Sequence, residues 1–398
     1  MNSISIIDRQ MKGKPKIVHI LEATLGGTSK HVCDLVDGID RSKFSVSLIY
    51  SMDRADSIFG SRLTDLASIG TTLVELSMKR DISPLNDLIS LFRVIRCLKK
   101  ENPDILHLHG AKAGALGRLA AVILGIKLVI YNPHGGSFHL IADRASRFPR
   151  LVERMLAFST TSYIAVSEFA RRQIKESTGV NSSRIRVIYN GIDSIQHKVE
   201  TTDSSILFSG FEIPKEAFLV LYPALFMEAK GHLDFLESIR RSGKRFERNV
   251  IVLLAGFGPL EDKIESQISE LRLKEHFRLI GFRRDLPVWY SLCDLVILPS
   301  RNEVFGYVLL EAMCYAKPVL ATNAGSIPEI IQHGQNGELV DLNDLSQLVD
   351  RINFYSNNRR LLFEMGRRAH DIALTCFSKE KMLKATENLY QELLSSNV

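Results

Sequence analysis

Short runs of apolar, often β-branched residues alternate with segments of helical length along almost the whole chain. Parallel strands covered by helices produce this pattern, because both faces of such a sheet are buried. The runs form two series, which lie at 16–21, 45–50, 104–107, 128–131, 163–166 and 185–188, and at 218–222, 250–254, 277–280, 295–298, 318–321 and 338–340. We therefore expect an α/β protein that winds two similar parallel sheets in succession.

The length of the chain agrees with two domains, since it has 398 residues and one domain usually contains about 100–200. A polar stretch with little periodicity, residues 190–216, separates the two series and indicates a linker. The end of the chain has the spacing of an amphipathic helix, which we expect to cross back to the first domain. The predicted divisions are a flexible N-terminus at 1–14, an N-terminal Rossmann-like domain at 15–200, a linker at 201–217, a C-terminal Rossmann-like domain at 218–376 and the crossing helix at 377–398.

Composition and charge exclude several classes of protein. A hydrophobic content of 45% with 24% charged residues is ordinary for a soluble enzyme and argues against a disordered or fibrous chain. The net charge of +6 permits anionic partners without requiring them. No compact Lys/Arg run accompanies aromatic residues, so we predict no nucleic-acid partner.

The cysteines and the apolar segments bear on the compartment. The five cysteines are widely spaced and form no C-x-x-C, which indicates reduced thiols and not a disulfide framework or a zinc site. No apolar stretch has the pattern of a signal peptide or reaches the ~20 residues of a membrane span. We expect a cytoplasmic protein that is not transmembrane.

Two glycine-rich turns follow predicted strands, at positions where backbone N–H groups and a helix N-terminus attract phosphate. Gly26 and Gly27 follow the first strand and precede a helical segment. Gly256 and Gly258 follow the strand at 250–254, but the third glycine of a dinucleotide fingerprint is missing. A tight structural turn is the favoured interpretation of this second pair.

The sharpest feature is the segment E-V-F-G-Y-V-L-L-E, which runs from Glu303 to Glu311 after the strand at 295–298. Gly306 fits a sharp turn into a helix, with Glu303 on the loop above it and Glu311 in its first turns. Glu311 lies among apolar residues, where an unpaired carboxylate is costly unless it accepts hydrogen bonds from a ligand. We therefore interpret both acids as bordering a ligand cleft, and not as solvated helix charges.

Through this E-x7-E motif the sequence resembles family 4 of the retaining glycosyltransferases. The resemblance implies the GT-B fold, which has two facing Rossmann-like domains with parallel sheets. It extends over nearly the whole chain through further motifs in the family's order. These are Gly26-Gly27, Asp104-Ile-Leu-His107-Leu-His109, Asn132-Pro-His134-Gly135, Ala165-Val-Ser167-Glu168, Asn190-Gly191-Ile-Asp193, Lys230-Gly231, Gly256-Phe-Gly258-Pro259, Gly281-Phe282 and Asn336-Gly337.

The resemblance implies roles for the matched residues. Glu303 would contact the donor sugar on its reacting face, Glu311 the nucleotide ribose and Lys230 the diphosphate. His134 would lie beside the anomeric carbon, so the implied catalytic residues are Glu303, His134 and Lys230. The implied donor-binding residues, from the phosphate and sugar to the base, are Gly26, Gly27, Lys230, Gly256, Gly258, Gly281, Phe282, Arg283, Phe305, Gly306 and Glu311.

No metal or other cofactor is expected in such a transfer. The sequence lacks Asp-x-Asp, the usual manganese anchor of the other large glycosyltransferase fold. Lys230 and helix N-termini would instead face the charge that develops on the diphosphate. His107 and His109 point to one side of a strand but lack a third ligand, so packing or acceptor contacts are the favoured interpretation of the pair.

One position departs from the family pattern. The family usually has an arginine five residues before the lysine of the Lys-Gly motif, as a second clamp on the diphosphate. Leu225 occupies that place here. Either a different cation substitutes, or donor affinity is lower, or the donor differs.

The N-terminal domain is expected to bind the acceptor. Residues 109–118 and 132–136 resemble bacterial surface-polysaccharide enzymes of capsule, exopolysaccharide or lipopolysaccharide O-antigen synthesis. This implies a lipid-diphosphate-linked glycan acceptor, with His109, Lys112 and Arg118 as acceptor-side candidates. Arginines alternate with apolar residues over 144–156, which fits peripheral contact with the inner face of the cytoplasmic membrane, but a solvated helix with a buried stripe has the same pattern.

The expected function is retaining, metal-independent transfer of a hexosyl or N-acetylhexosaminyl group from a nucleotide sugar to a glycan. Two alternatives stay open. One is a sugar-nucleotide hydrolase or epimerase of the same fold, and the other is a non-catalytic sugar-nucleotide-binding partner in a polysaccharide assembly complex. A nicotinamide dehydrogenase is disfavoured, because the first βα turn lacks a complete G-x-G-x-x-G.

Overall fold

The computed structural model describes residues 13–79, 83–135, 147–193 and 208–396. The chain divides into two compact units, an N-terminal unit of Met1–Gly191 with Lys379–Val398 and a C-terminal unit of Ile192–Ser378. This division falls before the linker predicted at 201–217, of which 201–207 lie outside the described residues. Residues 1–12 of the predicted flexible N-terminus also lie outside them.

The N-terminal unit contains one parallel sheet with helices between its strands. Its strands are β1 Lys16–Leu21, β2 Ser45–Tyr50, β3 Thr72–Glu75, β4 Ile105–His109, β5 Val129–Asn132, β6 Ser162–Ala165 and β7 Ile185–Val187. The connecting helices are α1 Gly26–Gly38, α2 Ser57–Ser68, α3 Pro84–Glu101, α4 Ala111–Leu124, α5 Arg147–Leu156 and α6 Glu168–Thr178. The strand order is β3-β2-β1-β4-β5-β6-β7.

The C-terminal unit repeats this plan. Its strands are β8 Phe218–Pro223, β9 Val250–Ala255, β10 Phe277–Gly281, β11 Leu295–Leu298, β12 Val319–Thr322 and β13 Gly337–Val340, in the order β10-β9-β8-β11-β12-β13. Its helices are α7 His232–Ser242, α8 Glu261–Glu270, α9 Leu286–Leu292, α10 Tyr307–Cys314, α11 Ile327–Ile330, α12 Gln347–Ser356 and α13 Arg359–Cys376. The last helix of the chain is α14, Lys379–Ser396.

Both sheets reverse their strand order at one place, between β1 and β4 in the first and between β8 and β11 in the second. The loops after the two strands at such a switch point leave the sheet on opposite sides, and the crevice between them is where open α/β sheets bind ligands. The strand order therefore predicts ligand sites at the carboxyl ends of β1 and β4 in the first sheet, and of β8 and β11 in the second. The predicted pair of Rossmann-like parallel sheets is confirmed.

Helix α14 belongs to the N-terminal unit, which confirms the predicted return of the last helix. Its side chains Met382, Leu389 and Tyr390 are buried in the same cluster as residues of β1, α1 and β2. The carboxylate of Glu387 accepts a hydrogen bond from the backbone N–H of Asp40 at 2.8 Å. In the part of the chain that the structure describes, no helix combines the length and the apolar character needed to cross a bilayer.

Candidate active site

Lys230 and Glu303 meet at the switch point of the second sheet. Lys230 follows β8, Glu303 follows β11, and the lysine Nζ lies 2.5 Å from the carboxylate Oε1 of Glu303. The Glu303 side chain is 10% exposed and the Lys230 side chain 27% exposed. Two residues singled out from separate motifs thus form one half-buried ion pair at the place where the fold favours a ligand.

The turn that carries Lys230 is packed tightly against the turn after β11. Gly231 has a φ of +80°, and a Cβ at this position would lie 1.9 Å from the carbonyl oxygen of Pro299. The hydroxyl of Tyr222 donates to the Lys230 carbonyl, and the backbone N–H of Arg301 donates to the Ala229 carbonyl at 2.9 Å. Only glycine permits this close approach, so the Lys-Gly motif fixes where the lysine stands.

Glu303 is held from several directions. The Ser300 hydroxyl donates to its Oε1 at 3.0 Å, and the Ser326 N–H donates to its carbonyl at 2.9 Å. Gly325, with a φ of +59°, allows this loop contact, since a Cβ there would lie 2.2 Å from the Glu303 carbonyl oxygen. The carboxylate is therefore fixed in position before any ligand arrives.

Gly306 turns the chain from the Glu303 loop into α10. It occupies the N-cap position with a φ of +79°, as its place in the motif predicts. Phe305, placed in the donor-binding set, is 4% exposed and packs edge-on against Phe377. Its described position is thus in the core of the C-terminal unit.

Glu311 lies on α10 and is half-buried. The Tyr290 hydroxyl donates to its Oε2 at 3.1 Å, and the Tyr290 ring stacks on that of Tyr315. Burial and the nearby Glu311 raise the pKa of Tyr290 well above its usual range, so it remains a donor. The sequence pointed to a ligand as the group that compensates this carboxylate, and the structure shows that Tyr290 on α9 also does so.

The Gly256–Gly258 turn has a structural role, as favoured from the sequence. A Cβ at Gly256 would lie 2.0 Å from the carbonyl oxygen of Ala224, and one at Gly258 would lie 2.6 Å from that of Phe226. The turn thus packs directly on the segment between β8 and Lys230. That segment includes Leu225, which is half-buried.

In the predicted base-binding segment, Arg283 is hydrogen-bonded to another side chain and Phe282 is exposed. Arg283 forms two hydrogen bonds to Asp285, at 2.7 and 2.5 Å, and its guanidinium lies 5.4 Å from the ring centre of Trp289. Phe282 is 45% exposed and meets the 41% exposed Phe257 edge-on. Gly281 has a φ of +68° with open space beside it. Two exposed aromatic rings therefore lie at the carboxyl ends of β9 and β10.

In the N-terminal unit, Gly26 and Gly27 begin α1 and are exposed. Gly26 has a φ of +67°, and its N–H lies 3.4 Å from a carboxylate oxygen of Asp56. An exposed helix N-terminus after the first strand of a switch point is the geometry that attracts phosphate. The predicted phosphate-binding turn has this geometry.

A cluster of imidazoles lies at the same switch point of the first sheet. His109 Nε2 is 3.0 Å from His19 Nδ1, and His109 Nδ1 is 3.1 Å from His134 Nε2. His31 packs edge-on against His134, with ring centres 4.8 Å apart. Burial lowers the pKa of His19 to about 3 and that of His31 to about 4.

The other three imidazoles of this cluster are neutral for the same reason, since burial holds the pKa values of His107, His109 and His134 well below the usual range. From the sequence His107 and His109 lack a third possible ligand, and the structure places a third imidazole beside them. His19 pairs with His107 in the β1–β4 register, and the ligand atoms of His19, His107 and His109 all lie within 4.8 Å of one another. Parallel pairing supplies the residue that sequence spacing could not show.

The two basic acceptor-side candidates are both engaged. The Lys112 Nζ lies 2.5 Å from Asp87 Oδ1 on α3. Arg118 is fully buried, forms an ion pair with Glu153 at 2.8 Å and lies over the Tyr131 ring at 4.2 Å. A buried arginine between a carboxylate and an aromatic ring stabilises the packing of α4 on α5 and β5, so this position gives no support to the predicted acceptor contact.

Two family models match the chain in succession. Glycosyltransferase Family 4 matches residues 25–195, and Glycosyl transferases group 1 matches residues 203–371. The first covers most of the N-terminal unit and the second most of the C-terminal unit.

Two sequence relatives and one solved structure accompany these matches. A protein of the cps region of Klebsiella pneumoniae is 26% identical over 94% of this chain and 99% of its own. The UDP-Gal:alpha-D-GlcNAc-diphosphoundecaprenol alpha-1,3-galactosyltransferase of Escherichia coli is 24% identical over 79% of this chain and 82% of its own. The crystal structure of Anabaena HepE with UDP and glucose has a TM-score of 0.80 and 23% identity, over 95% of this chain and 100% of that one. The chain therefore belongs to the GT-B glycosyltransferases, with a Glycosyltransferase Family 4 region followed by a Glycosyl transferases group 1 region.

Proposed function

We propose that this glycosyltransferase moves a hexosyl or N-acetylhexosaminyl group from a nucleotide sugar to a lipid-linked glycan, with retention of anomeric configuration, in bacterial surface-polysaccharide synthesis. The observation that carries the proposal is the Lys230–Glu303 pair at the switch point of the second sheet. When a sugar–diphosphate bond breaks, negative charge develops on the diphosphate and positive charge on the sugar. A cation and a carboxylate on adjacent turns can stabilise these two charges.

In this mechanism Lys230 changes partner when the donor binds. Its ammonium leaves the Glu303 carboxylate for the diphosphate and stabilises the leaving group. Glu303, kept in place by Ser300, then faces the positive charge that develops at the sugar. The acceptor hydroxyl attacks from the face that the diphosphate leaves and gives its proton to the departing diphosphate oxygen. The glycosidic bond forms as the sugar–diphosphate bond breaks, and the configuration of the anomeric carbon is preserved.

Donor class rests on similarity and on the exposed rings. The E. coli relative uses UDP-Gal by its name, and the HepE structure holds UDP and glucose. The exposed Phe257 and Phe282 offer flat apolar surfaces of the kind on which a nucleobase stacks. Uridine diphosphate sugars are therefore the donors to test first.

A lipid-linked acceptor requires a surface that reaches the membrane, and an exposed apolar surface of the N-terminal unit supports this role. Helix α4 packs against both α3 and α5, and each of these helices carries a stripe of exposed apolar side chains at helical spacing. We call this set the apolar helix surface; it consists of Leu85, Leu88, Ile89 and Phe92 on α3, Leu119, Val122 and Ile123 on α4, and Leu151 and Met155 on α5, with Phe158 just after it.

Exposed basic residues accompany the apolar helix surface. Arg93 and Arg96 are exposed on α3, and Arg154 is exposed on α5. Amphipathic helices with apolar and basic exposed side chains bind the interface of anionic bilayers. This supports peripheral membrane contact, and it extends to three helices the pattern that the sequence showed at 144–156, of which 144–146 lie outside the described residues.

The experiment is a transfer assay with purified protein, a panel of UDP-, GDP-, ADP- and TDP-sugars and a polyprenyl-diphosphate-linked sugar as acceptor. We expect one donor to be consumed only when the acceptor is present, and NMR of the product to show the donor's anomeric configuration. Adding Mg²⁺ or Mn²⁺ to EDTA-treated protein should not raise the rate. An inverted product refutes the retaining mechanism, and donor turnover without acceptor supports the hydrolase or epimerase alternative.

Membrane contact has its own test. Co-sedimentation with vesicles that contain anionic lipid is expected for the parent and strongly reduced for Phe92→Ser/Ile123→Ser, which removes two side chains that are 67% and 61% exposed. A matched control is Phe363→Ser, which removes a 74% exposed ring from α13 of the other unit. Equal binding by all three proteins contradicts the assignment of this surface.

A further inference from the structure

Three histidine side chains lie together in the first sheet, where two neighbouring strands place them. His19 on β1 is the register partner of His107 on β4, and His109 follows His107 by two residues, on the same face of the strand. All three are 0% exposed. The backbone of a paired sheet therefore holds the rings, and no loop has to close for them to approach.

Two ring nitrogens of this group have no hydrogen-bond partner. They are His19 Nε2 and His107 Nε2, both buried among the described residues. Leaving a buried polar atom unsatisfied costs about 1–3 kcal/mol. Such atoms are usually satisfied by a water or an ion when protein partners are missing.

From this arrangement we propose that His19, His107 and His109 form a binding site for a borderline dication of the Zn²⁺ or Co²⁺ type. Imidazole nitrogen is a preferred ligand of these metals. Burial lowers the pKa values of all three residues, so at neutral pH their lone pairs do not have to lose a proton to bind.

The geometry fits with a small adjustment. Metal–nitrogen bonds of about 2.0–2.1 Å place tetrahedral ligand atoms about 3.3 Å apart, and the candidate atoms here lie within 4.8 Å of one another. A contraction of the widest separations by up to about 1.5 Å completes the set. Three histidines leave a fourth position for water or hydroxide, whose ionisation offsets the charge of the buried ion.

Two of the three ligands also have the second partner that a metal-bound histidine needs. His107 Nδ1 lies 2.7 Å from the Tyr390 hydroxyl on α14, and His109 Nδ1 lies 3.1 Å from His134 Nε2. A bond at the far nitrogen fixes the tautomer and aims the near nitrogen at the metal. Tyr390, from the last helix of the chain, is thus a positioning residue for the proposed site.

A second combination, His31, His109 and His134, also satisfies the distance criterion. We favour the first because its three residues stand on paired strands, whereas His134 lies beyond β5 with a φ of +49°. The two combinations share His109 and differ in the other ligands, so substitutions distinguish them.

The test is spectroscopic. Protein depleted of metal with a chelator is equilibrated with Co²⁺ alone, and the visible absorption of tetrahedral Co²⁺ is titrated. We expect one Co²⁺ per chain and its displacement by one equivalent of Zn²⁺. Slow loading is expected, since the ligands are buried, so a parallel sample is refolded with Co²⁺ present. A folded protein that shows no such absorption after either treatment overturns the proposal.

The variants locate the ion. His107→Gln should abolish the absorption, and His134→Gln should keep it. Tyr390→Phe, which leaves all three ligands, should weaken Co²⁺ binding about 10–100-fold without changing the stoichiometry. The matched control is His232→Gln, because His232 is another buried histidine with both ring nitrogens unpartnered, but in the C-terminal unit. Circular dichroism establishes that each variant is folded. Retention by His107→Gln, or loss in His134→Gln alone, overturns the assignment.

Discussion

Lys230 is the cation that the switch point of the second sheet presents to a diphosphate. Changing Lys230 to Ala should weaken binding of the free nucleoside diphosphate at least tenfold, since a charge-assisted hydrogen bond contributes ~1.5–3 kcal/mol and ~1.4 kcal/mol is a factor of ten. Calorimetry measures this directly. Arg301→Ala is the control, because the Arg301 guanidinium is already engaged by Asp234 at 2.5 and 2.6 Å. Unchanged affinity in Lys230→Ala means that another residue binds the diphosphate.

Leu225 permits the reverse experiment at the same site. The family arginine is restored by Leu225→Arg, which should tighten diphosphate binding if the half-buried leucine leaves space for the longer side chain. The double variant Leu225→Arg/Lys230→Ala then shows whether the arginine can replace the lysine. Weaker binding in the single variant, with an unchanged melting temperature, indicates that this position no longer faces the diphosphate.

Substitution of Glu303 should mainly lower kcat, whereas substitution of Glu311 should mainly lower donor affinity. Glu303→Gln keeps the shape but not the charge, so we expect kcat to fall about 10²–10³-fold, as for other preorganised groups that face developing charge, with little change in donor affinity. Glu311→Ala should weaken donor binding first. Tyr290→Phe is a control for the latter, since it removes only the hydroxyl that bonds Glu311. Steady-state kinetics and donor-binding calorimetry separate these effects. If both variants lose the same donor affinity and keep kcat, the assigned roles are wrong.

For single residues, the sequence singled out the motif residues but not the residues that contact them. Lys230, Glu303 and Gly306 were recognisable because short motifs carry them. Tyr290 and His19 were not, since each reaches its partner only through the fold: β1–β4 pairing brings His19 to His109 across 90 residues of sequence. Neither has a local signal, so sequence reasoning assigned only a ligand to Glu311 and found no third residue for the histidine pair.

Among the elements, the turn at Gly231 is the one whose exact geometry the site depends on. Gly231→Ala should cost more than the ~1–2 kcal/mol of a left-handed residue with a side chain, because its Cβ would also collide with the Pro299 carbonyl at 1.9 Å. Gly243→Ala is a matched control, with a φ of +66° and nothing within 4 Å of the added atom. Urea denaturation measures both. If the two variants lose a similar free energy of unfolding, the turn at Gly231 can adjust to the added Cβ. The close packing against Pro299 is then not needed to position Lys230.

The strands were predictable because two parallel sheets need continuous apolar runs. All twelve predicted strands occur in the structure within one or two residues of their expected ends. The missing one, β3, has four residues at the edge of the first sheet and only partial burial. An edge strand pairs with one neighbour only, and a partly buried one does not need a long run of apolar residues. The hydrophobic pattern of the sequence therefore did not indicate β3.

For the whole molecule, the buried histidines predict that the N-terminal unit is the more sensitive to acid. Its five clustered imidazoles have lowered folded-state pKa values, about 3 for His19 and about 4 for His31, whereas the described C-terminal unit has one comparable group, His232, with a pKa of about 3. Below pH ~6.5 the unfolded chain gains protons that the folded chain cannot, so each group removes up to about 1.4 kcal/mol per pH unit. Stability is therefore lost as the pH falls from about 6.5 towards 4.

The sole tryptophan makes this measurable. Trp289 is fully buried in the C-terminal unit, so its emission reports on that unit. On acidification of metal-depleted protein, hydrogen exchange in peptides from β1 and β4, corrected for the intrinsic rate, should increase at a higher pH than the one at which Trp289 emission shifts. If the emission shifts first, the histidine cluster does not set the acid stability.

The division of the chain was less accessible to sequence than its fold class. Patterning showed two sheets and a returning helix, which the structure confirms. Where one unit ends depends on contacts made by residues far apart in sequence, and composition does not record them. The contact boundary after Gly191 thus falls at the start of the polar stretch 190–216 and ahead of the linker that compositional reasoning placed at 201–217.

Because α14 completes the core of the first unit, the order of synthesis and the order of folding cannot coincide. A ribosome that adds about 5–20 residues per second needs roughly 10–40 s to pass from Gly191 to Tyr390. During that time the nascent N-terminal sheet lacks Met382, Leu389 and Tyr390, which are buried members of its core cluster. The C-terminal unit is continuous in sequence and is complete at Ser378. The half of the protein that is made second is therefore the first able to finish folding, and the half made first must wait for the last turns of the chain.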